Sequence, residues 1–304
     1  MLLYTHPACL AHDPGTGHPE SPARLRAVLE ALDNARFAGI DRLDAPRVTR
    51  EQLARVHSAE MIDAIHAAAP SAGYAQLDPD TAMSPDSLEA ALRAAGAVCA
   101  AVDALIDGTD TRAFCAVRPP GHHATRDTAM GFCLFNNIAV GAAQALARGI
   151  ERVAIMDFDV HHGNGTQGIF WNEPRLLYAS THQSPLYPGT GARTETGAGN
   201  IVNVPLPPGA GSAEFRSEFT AAIEPALRDF RPQLVMISAG FDAHRLDPLA
   251  SLNLDAADYA WATRELVDVA REYAAGRIVS SIEGGYSLTA LRESTAAHVD
   301  ALME

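Results

Sequence analysis

Short hydrophobic runs alternate along the chain with longer stretches whose apolar residues recur at helical spacing. Short runs of this kind are typical of buried β-strands, and the longer stretches are typical of amphipathic helices. The runs predict strands at residues 112–117, 152–160, 176–180, 201–204, 234–238 and 277–282. The intervening stretches predict helices at residues 135–148, 212–230, 255–275 and 288–303. Such alternation predicts an α/β protein with a mostly parallel sheet that helices flank on both faces.

The first hundred residues predict helices from their starting signals. Ser21-Pro22 supplies an N-cap followed by proline at the first helical position. Thr49–Gln52 has the pattern of a capping box and opens a predicted helix through about Ala69. Ser84-Pro85 opens an alanine-rich helix that ends at Gly108. No internal repeat or linker interrupts the pattern, so we expect one domain over residues 1–304.

Composition and charge limit which partners the protein can bind and in which compartment it is expected. The chain has 304 residues, a formal net charge of −14 and no cluster of lysine and arginine. We therefore expect neither direct nucleic-acid binding nor attachment to an anionic membrane. The cysteines lack C-x-x-C spacing, and no run reaches the roughly 18 apolar residues of a membrane span. These features favour a cytoplasmic protein with reduced thiols, and a homo-oligomer is left open.

Polar, glycine-flanked motifs follow five of the predicted strands. Sites in open α/β sheets form at the carboxyl ends of the strands, so motifs that recur there indicate one shared site. The motifs are Arg118–His123, Asp157–Asn164, Ser180–His182, Ala239–His244 and Glu283–Tyr286.

The stretch from Asp157 to Asn164 has the residue types of a metal site. In an extended chain Asp159 and His161 project to the same side, as does Asp157. A catalytic zinc has three protein ligands and one open position, and Asp242 is the natural third ligand. Two carboxylates with one imidazole make a neutral site, which suits Zn²⁺, with Fe²⁺ as the alternative ion.

The other strand-end motifs supply candidate catalytic groups. His122 and His123 follow a rigid Pro-Pro-Gly turn, and a neutral imidazole is a base near pH 7. Asp157 could orient a histidine or bind a second cation. Tyr286 follows two glycines and could donate a hydrogen bond to an oxyanion. Any one of these residues alone would suit a structural role equally well, whereas their combination favours catalysis.

Six stretches together resemble the zinc-dependent histone deacetylase superfamily, which includes acetylpolyamine amidohydrolases. The resemblance runs from His18 to Tyr286 and is nearest to the class II members and their bacterial relatives. It implies the arginase–deacetylase fold, in agreement with the alternation of strands and helices. The stretches are RPPGHHA, GFCLFNN, DFDVHHGNGTQ, YPGTG, SAGFDAHRLDP and EGGY.

The resemblance implies a role for each residue of the candidate site. It makes Asp159, His161 and Asp242 the zinc ligands. It makes His123 the general base, and it makes His122 the group that stabilises charge and protonates the leaving amine.

The resemblance also implies supporting residues behind the two histidines. Asp157 would hold His122, Asn164 would hold His123, and Tyr286 would polarise the acyl carbonyl. Class I members carry aspartate where this chain has Asn164. An amide stabilises imidazolium less than a carboxylate does, so we expect His123 to be less basic here.

Substrate-contacting residues follow from the same motifs. Gly131, Phe132 and Tyr187 would line a narrow tunnel for an acyl-lysine-like chain. Leu249 stands where specialised polyamine deacetylases carry a glutamate, so a strict preference for polyamines is not expected. Asp80 would lie at the rim and hydrogen-bond the substrate backbone.

Further ions and an internal channel are implied by the resemblance alone. A structural K⁺ would use Asp157, Ser180 and the main-chain oxygens of Asp159 and His161, and a second monovalent site would lie near Phe170. Arg24 would lie near the internal channel.

The sequence therefore predicts a zinc-dependent amidohydrolase that removes acetyl or related acyl groups from lysine-like or polyamine-like amines. One alternative is a binuclear, arginase-like ureohydrolase, which would need a second carboxylate two residues after Asp242, where this chain has His244. The other alternative is a catalytically silent module that binds acyl ligands. No role follows from the sequence for His162.

Overall fold

One eight-stranded parallel sheet forms the centre of the protein, whose computed structural model describes residues 1–304. The strand order across the sheet is β2-β1-β5-β10-β9-β6-β7-β8, and β3 and β4 form a separate antiparallel pair. The strands are β1 Leu2–Thr5, β2 Asp41–Asp44, β3 Ala75–Asp78, β4 Thr81–Met83, β5 Arg112–Cys115, β6 Val153–Asp157, β7 Leu176–Gln183, β8 Ile201–Leu206, β9 Leu234–Ala239 and β10 Ile278–Ile282.

Helices flank the sheet on both faces. Helices α5 and α6 pack against each other and on the strands of one face, while α10 and α11 pack together with α2 on the other. None of the helices combines the length and apolarity that a membrane crossing requires. The helices are α1 Ala8–Ala11, α2 Pro22–Leu32, α3 Arg50–Ala54, α4 Ala59–Ala68, α5 Ser87–Ile106, α6 Asn137–Ala147, α7 Asn164–Ile169, α8 Ser212–Glu218, α9 Glu224–Phe230, α10 Ala256–Tyr273 and α11 Leu288–Met303.

The predicted parallel α/β architecture is confirmed, and all six predicted strands are present. All residues of β5, β6 and β9 are buried, which explains why these strands appear as continuous apolar runs in the sequence. The prediction missed β1, β2, the β3–β4 pair, α1 and α7. Strand β2 has the sequence Asp-Arg-Leu-Asp and is exposed throughout, so no apolar pattern marks it. The charged residues protect an edge strand from pairing with another chain.

Two predicted helices are interrupted. The Thr49 capping box is confirmed, since Gln52 N donates to Thr49 Oγ1 and Thr49 N donates to Gln52 Oε1. Helix α3 nevertheless ends at Ala54, and Ser58 caps a new helix by accepting a hydrogen bond from Met61 N. The helix predicted at 212–230 contains a π-helical turn between α8 and α9.

The strand register brings the predicted site together. Asp157 at the end of β6 pairs with Ser180 on β7 and with Ser238 on β9. Ala239, the last residue of β9, pairs with Ile282, the last residue of β10. Because the strands are parallel, the motifs that follow them all emerge at the same edge of the sheet.

Helix α5 approaches the loop between β2 and α3 so closely that Gly96 has no room for a side chain. A Cβ atom there would lie 2.0 Å from Pro46 O and 2.6 Å from Val48 N. The loop is also hydrogen-bonded to the helix, because Val48 N donates to Leu92 O at 2.9 Å. The backbone of this loop cannot move aside without breaking that contact.

We therefore predict that Gly96→Ala destabilises the protein by about 1–3 kcal/mol. Glycine-to-alanine changes inside helices otherwise stabilise by about 1 kcal/mol. The matched control is Gly168→Ala in α7, where a Cβ would meet no atom within 4 Å. Denaturant unfolding of both variants checks the prediction, and a Gly96→Ala midpoint at or above that of the parent would contradict it.

Candidate metal centre and active site

Local hydrogen bonds set the orientation of the predicted metal ligands after β6. The strand ends at Asp157, whose Oδ1 accepts a hydrogen bond from Asp159 N at 3.1 Å. Asp159 Oδ1 in turn accepts one from His161 N at 2.9 Å. These two turns, each closed over two residues, hold both aspartates and the histidine in fixed positions.

Asp159, His161 and Asp242 form the one group of potential metal ligands in the described chain. His161 Nδ1 lies 3.1 Å from Asp159 Oδ1 and 3.2 Å from Asp242 Oδ2. Ligand atoms about 2.0–2.1 Å from a tetrahedral zinc are roughly 3.3 Å apart. The separations around His161, and the two carboxylates with one imidazole, therefore fit a single small dication.

The remaining carboxylate oxygens are held by the main chain. Asp159 Oδ2 accepts from Gly284 N at 2.8 Å, and Asp242 Oδ1 accepts from Val160 N at 2.8 Å. Asp242 Oδ2 and Asp159 Oδ1 are left facing His161. A Cβ at Gly284 would lie 2.0 Å from Asp242 Oδ2 and 2.6 Å from Asp159 Oδ2. Gly284 thus allows the backbone to close one side of the triad.

The triad concentrates negative charge in a buried place. Burial and the neighbouring Asp159 raise the pKa of Asp242 to about 7. Burial would lower the pKa of His161, but hydrogen bonds to Asp159 and Asp242 outweigh it and raise that pKa to about 10. A proton on His161 offsets this charge in the absence of a cation. A dication would replace that proton and neutralise both carboxylates.

The two histidines after the Pro-Pro-Gly turn have different partners. His122 Nδ1 lies 3.0 Å from Asp157 Oδ2, and His123 Nδ1 lies 2.8 Å from Asn164 Oδ1. Asn164 Nδ2 points to Met130 Sδ at 3.5 Å, which leaves the amide oxygen facing His123. Because that oxygen only accepts, His123 carries its proton on Nδ1 and keeps a lone pair on Nε2.

These partners give the adjacent rings, whose centres lie 4.0 Å apart, different charge states. Burial would lower the pKa of His122, but Asp157 and Asp159 outweigh it and raise that pKa to about 10. Burial, together with repulsion from His122 and His161, holds the pKa of His123 well below its usual range. His122 is therefore cationic and His123 neutral near pH 7.

Glu283 belongs to the site, although the sequence motifs indicate no individual role for it. Its fully buried carboxylate accepts hydrogen bonds from Gly121 N at 2.6 Å, His122 N at 3.2 Å and Ser238 Oγ at 3.2 Å. Burial raises its pKa to about 7. Glu283 thereby holds the turn that carries both histidines. Glu283 is the first residue of EGGY and directly follows a strand, and this position in the sequence is the feature that could have indicated a role in the site.

Tyr286 is held by two residues that are distant in sequence. Its main-chain N donates to Asp247 Oδ2 at 2.6 Å, and the Arg24 guanidinium lies 4.8 Å from its ring centre. Arg24 also donates to Gly285 O at 2.6 Å and to Glu283 O at 2.5 Å. Burial raises the pKa of the Tyr286 phenol well above its usual value, so the hydroxyl remains a donor. The sequence motifs indicate no role for Asp247.

A cavity of about 200 Å³ opens onto these groups. All five residues predicted to contact substrate line it, beside candidate catalytic and metal-binding residues. Pro120 and Leu186, which were not predicted, also line it. The complete lining is Asp80, Pro120, His122, His123, Gly131, Phe132, His161, Leu186, Tyr187, Leu249, Gly284 and Tyr286.

One wall of the cavity has an unusual backbone. Gly131 and Phe132 both have positive φ, +59° and +67°, which is uncommon for phenylalanine. Gly131 N donates to Asp80 Oδ1 at 3.1 Å, and Phe132 N donates to Thr81 Oγ1 at 3.0 Å. A Cβ on Gly131 would lie 2.4 Å from the His123 ring. This wall therefore packs directly against His123.

The residues predicted for monovalent ions lie on neighbouring elements. Asp157 and Ser180 are partners in the β6–β7 register, and Ser180 Oγ is 2.9 Å from His182 Nδ1. Phe170 follows α7, and its carbonyl oxygen accepts from Asn200 Nδ2 at 2.9 Å. Both ion sites stay predictions.

Comparison with known proteins gives a consistent result. A family model described as the histone deacetylase domain matches residues 18–302. A histone deacetylase-like amidohydrolase of Pseudomonas aeruginosa is 41% identical over 89% of this chain and 73% of its own length. A probable deacetylase of Archaeoglobus fulgidus is 39% identical over 93% and 80%. The crystal structure of the HDA15 HD domain superposes with a TM-score of 0.94 at 37% identity, covering 99% of this chain and 88% of that chain.

We predict that Gly284→Ala prevents stoichiometric metal binding, because the added Cβ would occupy the space between the two carboxylates of the triad. Metal analysis after reconstitution with Zn²⁺ should give about one ion for the parent and far less for the variant. Gly168→Ala, whose Cβ would meet no atom within 4 Å, is the control and should bind as the parent does. A full complement of zinc in folded Gly284→Ala would contradict this account of the triad.

Proposed function

Because the chain belongs to the histone deacetylase family, we propose that it is a zinc-dependent amidohydrolase that removes acetyl or related acyl groups from linear amines. The observation that carries the proposal is the convergence of three groups on one cavity. The neutral imidazole of His123 and the protonated phenol of Tyr286 line it, as does His161, the member of the dication-binding triad that faces the cavity. These are the electrophile, base and oxyanion donor that amide hydrolysis needs.

Asp159, His161 and Asp242 would hold the metal ion, with Fe²⁺ as the alternative to Zn²⁺. When bound, the dication supplies a Lewis acid for the acyl carbonyl and makes water more acidic. Support for the assignment comes from the spacing of the three ligand atoms and from their excess of negative charge.

His123 is the general base of the proposal. Its Nδ1 proton is engaged with Asn164, so Nε2 takes the proton of the attacking water. His122 carries a positive charge because of Asp157, and it stabilises the negative charge that develops on the substrate. As the carbon–nitrogen bond breaks, the leaving amine takes a proton from His122.

Tyr286 donates a hydrogen bond to the carbonyl oxygen as that oxygen becomes negative. Its buried phenol stays protonated, and its main chain is tied to Asp247. A donor that is already in position stabilises the transition state without a cost of reorganisation.

The proposed substrate is an acylated amine on a flexible chain, such as an acyl-lysine peptide or a small acetylated amine. Phe132, Leu186, Tyr187 and Leu249 give the cavity apolar walls that suit methylene groups. Leu249 carries no charge for a cationic tail, so strict selection of polyamines is not part of the proposal. At the rim, one Asp80 oxygen accepts from Gly131, and we propose that this carboxylate also contacts the substrate backbone.

The alternatives have less support in the described side chains. A binuclear site would need a second bridging ligand near Asp242. His244 Nδ1 instead accepts a hydrogen bond from Leu246 N at 3.2 Å, and Nε2 lies 3.9 Å from Asp255. No observation favours a silent acyl-binding module. We also propose structural K⁺ at Asp157 and Ser180, and a second monovalent ion at Phe170, in keeping with the family resemblance.

Loss of the base or of the oxyanion donor should abolish most turnover. We expect kcat on an acetyl-lysine reporter to fall about 10²–10³-fold in Tyr286→Phe and about 10²–10⁴-fold in His123→Ala. Tyr74→Phe and His66→Ala remove the same groups at exposed positions outside the cavity and should leave kcat unchanged. Turnover near the parent level in metal-loaded Tyr286→Phe and His123→Ala would reject the mechanism.

The amide of Asn164 should set the pH at which His123 becomes protonated. Burial lowers the pKa of His123, and Asn164→Asp would raise that pKa by placing a negative charge beside the ring. A base must be neutral, so activity is lost as the pH falls through this pKa. The acidic limb of kcat/KM should therefore move to higher pH in Asn164→Asp.

The control for this pH profile is Asn172→Asp, which adds the same charge at an exposed position. Its acidic limb should coincide with that of the parent. A limb in Asn164→Asp that stays in place or moves to lower pH would show that His123 is not the base whose protonation limits the rate.

A further inference from the structure

His162 follows a proposed metal ligand, yet its ring does not line the cavity. The side chain is buried, and both ring nitrogens are engaged elsewhere. Nδ1 lies 2.7 Å from Thr190 Oγ1, and Nε2 lies 2.9 Å from Gln167 Oε1. His162 therefore connects α7, which carries Gln167, with the loop after β7, which carries Thr190.

The direction of every hydrogen bond in this network follows from one carboxylate. Gln167 Nε2 donates to Glu195 Oε2 at 2.6 Å, which leaves Gln167 Oε1 as an acceptor. Gln167 Oε1 accepts hydrogen bonds from Asn203 Nδ2 at 2.6 Å and from the Nε2–H of His162. His162 Nδ1 then has a lone pair and no proton. The Thr190 hydroxyl must be the donor to Nδ1, so the loop depends on a hydroxyl at this position.

The loop also packs on the ring of His162 at Gly191. A Cβ on Gly191 would lie 2.7 Å from the His162 ring, and the residue has a φ of +88°. Gly191 N donates to Glu195 Oε2 at 3.1 Å, and Gly191 O is 3.0 Å from His182 Nε2. Thr190 and Gly191 are thus the fixed downstream end of the segment that precedes them.

That segment contains Tyr187 in a tight turn. Gly189 N donates to Leu186 O at 2.9 Å and closes the turn around Tyr187. On the upstream side, Ser184 N donates to Leu206 O on β8 at 2.9 Å. The turn contains no helix or strand. It is held on its upstream side by β8, the edge strand of the sheet, and on its downstream side by the hydrogen-bond network around His162.

Tyr187 reaches the cavity from this turn. Its ring centre lies 5.1 Å from that of His123, edge-on at 83°, and 6.4 Å from that of His161. About 38% of Tyr187 remains exposed. A small shift of the turn would change the width of the cavity beside the proposed base.

We propose that His162 is a positioning residue: through the Thr190 hydroxyl it fixes the Leu186–Gly189 turn, and so sets how tightly Tyr187 encloses the substrate chain. The substrate part of this inference rests on the proposed acyl-amine hydrolysis. His162 contacts neither substrate nor metal in this role. Weakening the anchor should therefore raise KM and leave the metal content of the protein unchanged.

A matched set of threonine variants tests the anchor. Thr190→Val removes the donor hydroxyl and keeps the side-chain shape, whereas Thr190→Ser keeps the hydroxyl. Thr194→Val makes the same change at an exposed position of the same loop. We expect Thr190→Val to speed hydrogen exchange in residues 186–191 and to raise KM for an acetyl-lysine reporter about three- to tenfold. Thr190→Ser should restore both values, and Thr194→Val should alter neither.

A double-mutant cycle tests the link to Tyr187. His162→Ala and Tyr187→Ala should each raise KM, and the double variant should show much less than the product of the two effects, because both act through one ring. Multiplicative effects, or equal exchange in Thr190→Val and Thr190→Ser, would overturn the proposal. Zinc analysis of each variant separates a displaced turn from a lost metal.

The exchange measurement is independent of catalysis. If the parent protein, loaded with Zn²⁺, fails to hydrolyse the reporter and other acyl amines, the proposed function fails. Slow exchange in the parent together with fast exchange in Thr190→Val would then still establish the anchor. Fast exchange at residues 186–191 in the parent itself would refute it, whatever the activity.

Discussion

Buried negative charge at the carboxyl ends of the central strands is the constraint on which the site depends. Asp157, Asp159, Asp242 and Glu283 are all almost inaccessible to solvent, and buried charges must be paired and hydrogen-bonded. Main-chain N–H groups of the strand-end loops supply the hydrogen bonds, from Val160 to Asp242 for example. The loops thereby take their shape from the carboxylates. Cationic histidine and, in our proposal, a dication supply the opposing charge.

Different hydrogen-bond partners give the two adjacent histidines different protonation states. A carboxylate beside His122 makes that ring a cation, and an amide beside His123 leaves that ring neutral. Neither effect would survive free access of water, which would screen the charges. Close packing keeps water out of the site. This packing requires glycine at Gly131 and Gly284, where a Cβ would collide with His123 and Asp242 respectively.

Strands and helices could be predicted from the sequence where burial produces a regular pattern of apolar residues. They could not be predicted at an exposed sheet edge or at a turn, where no such pattern exists. The apolar runs of the buried strands were sufficient to predict a parallel sheet. The charged strand Asp41–Asp44 lies at the exposed edge and has no such pattern. The break between Ala54 and Ser58 escaped prediction because an apolar periodicity continues on both sides of it. The residues at strand ends were the most informative about the site, because a parallel sheet brings the carboxyl ends of its strands to one edge.

The sequence by itself determined the parallel sheet, the edge at which the candidate site forms and the residues that we propose as metal ligands and catalytic groups. Their motifs are contiguous, and parallel strands end on one side. Tertiary structure decided what supports them. Glu283 holds the turn of His122, Asp247 holds Tyr286, and His162 faces Thr190. The first two pairs lie far apart in the sequence, and His162 turns away from its neighbours, so only the folded chain reveals these contacts.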